Sequence, residues 1–367
     1  MTRCAVVGLG VLGGAALLAL SRAGVECVGL ESGTVGHPDG ASGGGETRIF
    51  RTAVADGAPY ERLLDRSREL WADLAAGHGP GLFTPCGALT LGPPDDARLR
   101  SVALSGRTEP FRAEAVAERW PGHRPGPGEL GLFDPRGGVL DAAGCTRALV
   151  AEARRGGAVV REGVRVLGIG YRRGQVVLRT VDGETVADAA VLATGHERPL
   201  LDGPARVEQR RVVLSWFPVA GPGRFGPETF PPGVHSGSDP VFTFFPSVDH
   251  ATIKINFQQP QPPVTDARTH HPTVTPGYAD PWSNAVAARI DGMAALPVRT
   301  ESYVEGYTAD RHGVVALAPA SPRVVTLGGF SGQGFKYAPA VGEIVADLVR
   351  TGRARTAAFA AAHTLAG

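Results

Sequence analysis

The pattern of apolar and polar residues divides the chain into predicted helices and strands. Near the amino terminus, a short apolar run at residues 5–7 leads into glycines, a helical stretch and a second apolar run at residues 27–30. Strand, turn, helix and strand in this order are typical of a parallel βαβ unit. Apolar residues at helical spacing predict further helices over residues 60–74, 111–120, 144–156 and 340–349.

Strand patterns occupy much of the remaining chain. Short alternating strands are predicted between residues 159 and 186, with a hairpin turn at Asp182-Gly183. Residues 212–257 are strand-like and rich in aromatic side chains, which we expect mainly in the core of a second, antiparallel lobe. The other strand predictions are a hairpin over residues 82–91 and buried strands at residues 189–195 and 324–327. The patterns together predict an α/β fold with two lobes.

The glycines of the first unit indicate a ligand. Gly8, Gly10 and Gly13 form a GxGxxG turn between strand and helix, and Glu31 ends the second strand. Gly8 permits a tight turn, Gly10 lets a pyrophosphate approach the helix N-terminus, and Gly13 permits close packing. An acid about 20 residues further on accepts hydrogen bonds from a ribose 2′-OH, so the unit predicts FAD or NAD rather than NADP.

The uncharged stretch at residues 5–20 has an alternative interpretation as a secretory signal or a membrane helix. A spanning helix needs about 20 apolar residues, and a signal peptide needs a basic start and a small-residue cleavage site. Four glycines fall within seven residues of this stretch, which argues against both.

Length, charge and cysteine content narrow the class of protein. A chain of 367 residues exceeds what one hydrophobic core usually serves. A formal net charge of +1 provides no field that would steer nucleic acid or an anionic membrane. The four cysteines lie far apart without a CxxC pair, which predicts neither a zinc site nor a disulfide framework. With no export signal, we expect a soluble protein of the reducing cytoplasm.

Lysine is nearly absent from the chain. Of 37 Lys and Arg residues, only Lys254 and Lys336 are lysines, and a compact ammonium suits a confined site better than Arg does. Chance survival of two lysines is the alternative. Arg48 and Arg51 follow a glycine-rich loop at residues 32–45, and their planar forks suit a carboxylate or phosphate. The alternative for this pair is a solvated surface position.

The carboxyl-terminal part again combines a strand, a glycine turn and a helix. Residues 328–336 form the turn, which directs backbone N–H groups and the positive end of a helix dipole at a ligand, with Lys336 at that point. His270 and His271 lack the spacing of metal ligands and are interpreted as solvated residues of a loop over residues 258–281. No metal site is predicted.

Several segments together resemble one known family. They are GLGVLG from Gly8, Glu31, ETRIFR at 46–51, VLATG at 191–195, TIKINF at 252–257 and GGFSGQGFKYAPAVGE at 328–343. In order and over nearly the whole chain, they are similar to the monomeric sarcosine oxidase and N-methyltryptophan oxidase family. These enzymes are amine-oxidising flavoproteins of the D-amino-acid oxidase superfamily, so the resemblance implies FAD as the cofactor.

The resemblance implies the domain organisation. The family fold is a Rossmann-like FAD-binding domain, built from separated stretches, with a mainly antiparallel β substrate domain that covers the flavin ring. The FAD-binding domain is expected to comprise residues 1–81, 141–205 and 309–367. The substrate domain is expected to comprise residues 82–140 and 206–308.

The resemblance also implies roles for individual residues. Arg51 and Lys336 match the pair that binds the substrate carboxylate. Lys254 matches the lysine over the flavin that promotes reaction with O2, and Arg48 matches the arginine packed near the flavin ring. The expected cofactor contacts are Gly8, Gly10, Leu12, Gly13, Glu31, Thr47, Arg48, Thr194, Gly195, Gly329, Gly332, Gly334, Phe335 and Lys336.

Five positions depart from the family pattern. Glu305 stands where the family has the cysteine that attaches FAD, and none of the four cysteines replaces it, so non-covalent FAD is expected. Gly44, Gln258 and Gln333 replace histidines, and Thr243 replaces a tyrosine. We expect these smaller or amide groups, Gly44 among them, to give a roomier pocket lined by Thr243, Gln258 and Gln333, which favours a substrate other than sarcosine.

The implied reaction is FAD-dependent oxidation of the C–N bond of a secondary, cyclic or N-substituted amino acid, or of a related carboxylate-bearing amine. The product is an imine, and O2 is reduced to H2O2. The alternatives are a dehydrogenase of the same fold with another electron acceptor, a non-catalytic flavin-binding module and an NAD-dependent dehydrogenase. We expect a monomer or homodimer without nucleic-acid or membrane partners, possessing a role in specialised biosynthesis.

Overall fold

The computed structural model describes residues 2–38, 40, 44–195, 206–237, 239–259, 264, 274–354, 356 and 358–359. This part of the chain contains seven α-helices, two short 3-10 helices and twenty β-strands. The α-helices are α1 (Val11–Arg22), α2 (Ala58–His78), α3 (Ala97–Leu104), α4 (Ala113–Arg119), α5 (Ala142–Arg155), α6 (Asp280–Ala287) and α7 (Gly334–Thr351), and the 3-10 helices are Pro80–Leu82 and Pro222–Arg224. The strands are β1 (Arg3–Val7), β2 (Glu26–Leu30), β3 (Thr47–Phe50), β4 (Phe83–Thr84), β5 (Ala88–Gly92), β6 (Glu109–Arg112), β7 (Leu130–Asp134), β8 (Gly138–Asp141), β9 (Val159–Arg161), β10 (Val166–Arg172), β11 (Gln175–Thr180), β12 (Gly183–Ala187), β13 (Ala189–Leu192), β14 (Glu208–Pro218), β15 (Gly233–His235), β16 (Phe242–Phe245), β17 (Thr252–Phe257), β18 (Arg299–Tyr307), β19 (Val314–Ala318) and β20 (Ser321–Gly328).

A six-stranded sheet in the order β19-β20-β13-β1-β2-β9 forms the centre of one lobe, and only β19 runs antiparallel to its neighbour. Successive residues of β1 point to opposite faces of this sheet. Cys4 and Val6 pack in a core with helices α1, α2, α5 and α7. Ala5 and Val7 pack against the three-stranded sheet β10-β11-β12. Because both faces are covered, β1 is apolar almost throughout.

An eight-stranded sheet in the order β18-β14-β17-β16-β15-β5-β7-β6 forms the second lobe. Only β15 and β5 pair in parallel. One face carries an aromatic core that includes Phe217, Phe242 and Phe244, which confirms the core prediction for these rings. Trp216 and Phe245 lie outside that core, on the opposite face, which we call the site face. Lys254, directly opposite both in the strand register, shares the site face.

A small sheet, β3-β8-β4, lies between the two large sheets. Strand β3 contacts both β16 of the eight-stranded sheet and helix α7 of the first lobe. Helix α3 packs on β5 and β7. Strand β3 therefore brings residues 47–50 to the boundary between the lobes, beside the site face.

Most predicted elements are confirmed, including helices α2 and α5, the hairpins of β10, β11 and β12, the buried strand β13 and the strand β20. The two-lobed α/β fold class is confirmed as well. His270 and His271 lie outside the described residues, and the predicted loop ends earlier than expected because α6 begins at Asp280.

Two local predictions were wrong. Residues 82–91 do not form a hairpin, because β4 pairs with β8 whereas β5 pairs with β7 and β15. The chain changes sheets at Pro85–Gly87, where Gly87 adopts a positive φ of 80°. The helix predicted from residue 111 begins only at Ala113, because the preceding Glu109–Arg112 pairs with β7.

Helix α7 begins at Gly334, six residues before its predicted start at Ala340. Pro339 lies inside the helix, near its start, although proline usually marks a boundary. The earlier start places Lys336 in the first helical turn, where the helix backbone fixes the direction of its side chain.

Two glycines inside helices should respond oppositely to alanine. A Cβ at Gly342 of α7 would lie far inside van der Waals distance of the Ala15 carbonyl oxygen on α1. We expect Gly342→Ala to cost roughly 1–3 kcal/mol, because the two helices must separate. At Gly77 of α2 a Cβ meets only an ordinary contact, so Gly77→Ala should gain up to about 0.5 kcal/mol from helix propensity. Thermal melting of both variants checks this, and an unchanged melting temperature for Gly342→Ala would contradict it.

Candidate active site

Backbone carbonyl groups pack closely against two glycines of the turn between β1 and α1. Gly8 has a φ of +85°, and a Cβ there would collide with the carbonyl of Ala193. A Cβ at Gly13 would collide with the carbonyl of Gly8. Gly10 is the N-cap of α1 and provides no side-chain hydrogen bond, so side chains do not cap the first N–H groups of the helix. The turn therefore presents backbone donors at close range to an anionic group.

Glu31 follows β2 at the same edge of the sheet. Its Oε2 accepts a hydrogen bond from the Leu9 N–H at 2.6 Å, and its Oε1 accepts one from the Gly33 N–H at 3.0 Å. The predicted contacts Thr194 and Gly195 follow β13, whose end packs on Gly8. The structure thus brings Gly8, Gly10, Gly13, Glu31, Thr194 and Gly195 together at one edge. Leu12 packs against the helical core.

Lys254 is the most enclosed cation of the site, with 2% of its surface exposed. Its Nζ donates hydrogen bonds to the Gly45 carbonyl, to the Thr47 carbonyl at 2.8 Å and to Thr47 Oγ1 at 2.8 Å. The Nζ also lies 3.9 Å from the centre of the Phe245 ring. Burial and the positive charge of Arg48 hold the pKa of Lys254 well below its ordinary value.

The segment at residues 45–47, which accepts the hydrogen bonds of Lys254, is also held to the site face through Glu46. Its Oε2 accepts a hydrogen bond from Trp216 Nε1 at 3.0 Å, and its Oε1 pairs with Arg299. The Arg299 guanidinium lies 3.8 Å from the Trp216 ring centre. Both Gly45 and Glu46 adopt positive φ angles, of 69° and 61°. The site face therefore holds this kinked segment through three separate side chains, Lys254, Trp216 and Arg299.

Arg48 connects the site face to the carboxyl-terminal glycine turn. Its guanidinium lies 5.8 Å from the centre of the Phe335 ring, which stacks on Trp71. Burial lowers the pKa of Arg48, and the nearby Glu305 opposes that effect. Glu305 lies beside Gly332, where an added Cβ would come within 3.1 Å of its Oε2. The glycine turn is also joined to β18 by a hydrogen bond from the Ser331 N–H to the Gly306 carbonyl at 2.9 Å.

Arg51 and Lys336 are brought together at the other end of β3. Lys336 is 5% exposed, and its Nζ donates a hydrogen bond to Gln333 Oε1 at 2.8 Å. Burial, followed by the charge of Arg51, holds the pKa of Lys336 well below its ordinary value, while Asp56 opposes this. Within the described part of the chain, neither Arg51 nor Lys336 forms a salt bridge. The pair is a concentrated positive charge suited to a carboxylate.

The two remaining predicted pocket residues are bonded to each other. Gln258 Nε2 donates to Thr243 Oγ1 at 2.8 Å. Thr243 pairs with Asn256 in the sheet, and both lie on the site face. Asn256 is two residues from Lys254 on β17, and Thr243 is two residues from Phe245, the partner of Lys254, on β16. Gln258 Oε1 in turn accepts a hydrogen bond from Arg98 Nη1 at 3.1 Å.

Sequence reasoning missed Arg98, Asn256 and Tyr303. Strand alternation around Lys254 could have indicated Asn256, because the two residues are separated by one position on a strand. Arg98 offered no signal, since arginine supplies nearly all the positive charge of this chain. Tyr303 enters the site only through the pairing of β18 with β14.

The expectation of added space at Gly44 was wrong. A Cβ there would collide with the ring of Tyr303 and with the Pro38 carbonyl. Tyr303 Oη donates a hydrogen bond to Glu301 Oε2 at 2.5 Å, which fixes the ring in that position. The missing side chain at residue 44 is therefore replaced by a ring from β18 and leaves no additional room.

Among the residues that the structure describes, no group of three or more His, Cys, Asp or Glu side chains is arranged to hold a metal ion. No helix in the same part of the chain is long and apolar enough to cross a membrane.

A dinucleotide-binding edge together with a buried cationic pocket is the arrangement of a dinucleotide-dependent oxidoreductase that acts on an anionic substrate. The sequence matches the FAD dependent oxidoreductase family over residues 3–348, and the chain belongs to that family. It is 32% identical to the monomeric sarcosine oxidase of Streptomyces avermitilis over 363 residues, covering 95% of this chain and 93% of the relative.

A second relative supports this assignment, and a solved structure shows the same fold. The N-methyl-L-tryptophan oxidase of Yersinia pestis is 27% identical over 350 residues, covering 93% of each chain. The solved structure of the amino acid oxidase NikD superposes with a TM-score of 0.83 at 20% identity, covering 97% of this chain and 96% of that one. The resemblance to the sarcosine and N-methyltryptophan oxidases is thereby confirmed, and so is FAD as the cofactor.

The residues present fit FAD. The backbone donors of the glycine turn suit the pyrophosphate, and the Glu31 carboxylate at the end of β2 suits the adenosine ribose. The carbonyl groups that would meet a Cβ at Gly8 and Gly13 explain why glycine is required at both positions. The second glycine turn, with Gly329, Gly332 and Gly334, begins α7 beside Glu305 and Arg48.

We expect acid precipitation of the protein to release its yellow colour into the supernatant. Cys4 lies in β1, Cys27 in β2, Cys145 in α5 and Cys86 between β4 and β5, whereas Glu305 lies in β18. Burial raises the pKa of Cys27 and of Cys86 to about 12, which leaves little reactive thiolate. Absorbance at 450 nm in the two fractions measures this, and colour in the pellet would mean a covalent link.

Proposed function

We propose that this protein oxidises the C–N bond of a secondary, cyclic or N-substituted amino acid, or of a related carboxylate-bearing amine, to an imine and reduces O2 to H2O2. Sarcosine and N-methyl-L-tryptophan, named for its relatives, are both N-methylated amino acids, which supports this substrate class. The observation that carries the proposal is the convergence of Lys254, Arg51 and Lys336 around strand β3. Bound FAD supplies the hydride acceptor for the reaction.

Arg51 and Lys336 bind the substrate carboxylate in this proposal. Burial lowers the pKa of both groups, and the charge of Arg51 lowers that of Lys336 further, so an anion bound between the two cations relieves this penalty. Gln333 orients Lys336 through the hydrogen bond to its Nζ. Fixing the carboxylate fixes the neighbouring C–N bond as well, which lowers the entropic cost of the reaction.

Lys254 acts on the oxygen half of the reaction. Reduction of O2 builds up negative charge, and a fixed ammonium in a buried site stabilises that charge strongly. The three oxygen acceptors of Gly45 and Thr47 favour the protonated amine, whereas burial favours the neutral one. Arg48 contributes a second positive charge beside it.

We expect Lys254→Met to slow reoxidation of the dithionite-reduced enzyme by O2 roughly 100-fold, with reduction by an amino acid changed less than about tenfold. Stopped-flow absorbance at 450 nm measures both steps. Thr47→Val serves as the matched control, because it removes one acceptor but keeps the ammonium, so it should slow reoxidation far less. Equal losses of rate in both half-reactions would refute the role of Lys254. In a separate assay of the wild-type enzyme, a low yield of peroxide with fast reduction of a dye would indicate a dehydrogenase.

We expect Arg51→Gln and Lys336→Met each to weaken binding of acetate and benzoate roughly tenfold to hundredfold, because each removes a charge-assisted hydrogen bond. Titration of the flavin absorbance of the FAD-loaded enzyme gives the dissociation constants. Arg62→Gln, an exposed position on α2, is the control and should leave them unchanged. Titrations identical to wild type in both pocket variants would exclude this carboxylate site.

A further inference from the structure

Arg98 is held at a defined position beside the pocket. It lies in the first turn of α3, whose start is fixed by Asp96: the Asp96 Oδ1 accepts hydrogen bonds from the Leu99 N–H at 2.9 Å and from Ser236 Oγ at 2.6 Å. Val102, one helical turn after Arg98 and on the same helix face, lines a small internal cavity together with Arg51. Helix α3 therefore places Arg98 on the side of the pocket that carries Arg51.

Hydrogen bonds connect Arg98 to the site face. Its Nη1 donates to Gln258 Oε1 at 3.1 Å, and Gln258 Nε2 donates to Thr243 Oγ1 at 2.8 Å. Thr243 lies opposite Asn256, two residues along β17 from Lys254. Arg98 is thus held by Gln258, one of the predicted substrate-binding residues, on the solvent-exposed side of the pocket.

The charges in this region exceed what one carboxylate neutralises. Burial and the neighbouring cations Arg51 and Arg311 lower the pKa of Arg98, and Asp96 is the single carboxylate that opposes them. Over the described residues, Arg98 forms no salt bridge, and its hydrogen bond to Gln258 uses only one of its five N–H donors. A substrate carboxylate that binds Arg51 and Lys336 does not use the remaining N–H donors of Arg98, which stay available for a second anionic group.

We infer that the substrate carries a second carboxylate, and that Arg98 binds it. Arg98 is then a residue that determines specificity, and the substrate class narrows to secondary, cyclic or N-substituted amino acids with an acidic side chain. This inference rests on the proposed function, because it takes Arg51 and Lys336 as the site of the first carboxylate. Gln258 and Thr243 act as positioning residues that direct the guanidinium toward the pocket.

A matched pair of ligands tests the inference on the FAD-loaded enzyme. Pentanedioate and pentanoate have the same chain length and differ in the second carboxylate. Isothermal titration calorimetry should show that wild type binds pentanedioate at least about tenfold more tightly. Arg98→Gln should abolish this preference and leave pentanoate binding within about twofold of wild type. Arg100→Gln, on the exposed face of α3, is the control and should retain the preference.

The other outcomes separate this inference from the proposed function. If wild type shows no preference for pentanedioate, or Arg98→Gln keeps it, while Arg51→Gln weakens both ligands, the second-carboxylate site is overturned and the first remains. If neither ligand binds to wild type, the carboxylate site of Arg51 and Lys336 fails, and the inference about Arg98 fails with it.

Discussion

The active site depends on one buried ammonium group. Removing Lys254 from water costs several kcal/mol, and the oxygen atoms of Gly45 and Thr47 offset that cost. Because these acceptors precede or begin β3 while Lys254 lies in the eight-stranded sheet, the same bonds fasten β3, which lies between the lobes, to the eight-stranded sheet. The positive φ angles of Gly45 and Glu46 produce the kink in which this arrangement is possible. The kink also sets the direction of β3, and therefore the positions of the arginines that follow it.

Around this anchor, positive charge is concentrated beside few carboxylates. Glu305 opposes the pKa shift of Arg48, and Asp56 opposes those of Arg51 and Lys336. Each buried cation without a direct ionic partner destabilises the folded protein. An anion that binds only the folded state returns part of that free energy. Ligand affinity and protein stability are therefore coupled in this pocket, and the binding residues are not selected for stability alone.

Much of the fold and the cofactor edge could be predicted from the sequence, because glycines and short apolar runs act locally. The turn at Gly8, the acid at Glu31 and the strand β13 needed no knowledge of distant contacts. Predictions that depended on pairing partners were less successful. The residues of β4 and β5 alternate like a hairpin, yet each finds its partner elsewhere in the chain. Arg98 likewise could not be predicted as a site residue, because its contact with Gln258 depends on how α3 packs in the folded chain.

The contact between Gly44 and Tyr303 has an evolutionary consequence. Since the Tyr303 ring occupies the volume into which a side chain at residue 44 would extend, neither position can change freely on its own. A larger residue at 44 requires both a smaller residue at 303 and a shift of the Pro38 carbonyl, and a smaller residue at 303 first leaves a void beside residue 44. The two positions are therefore expected to vary together, with the order of substitutions constrained. An exchange of both residues, to a larger one at 44 and a smaller one at 303, therefore passes through an intermediate sequence that is less stable than the starting and the final sequence.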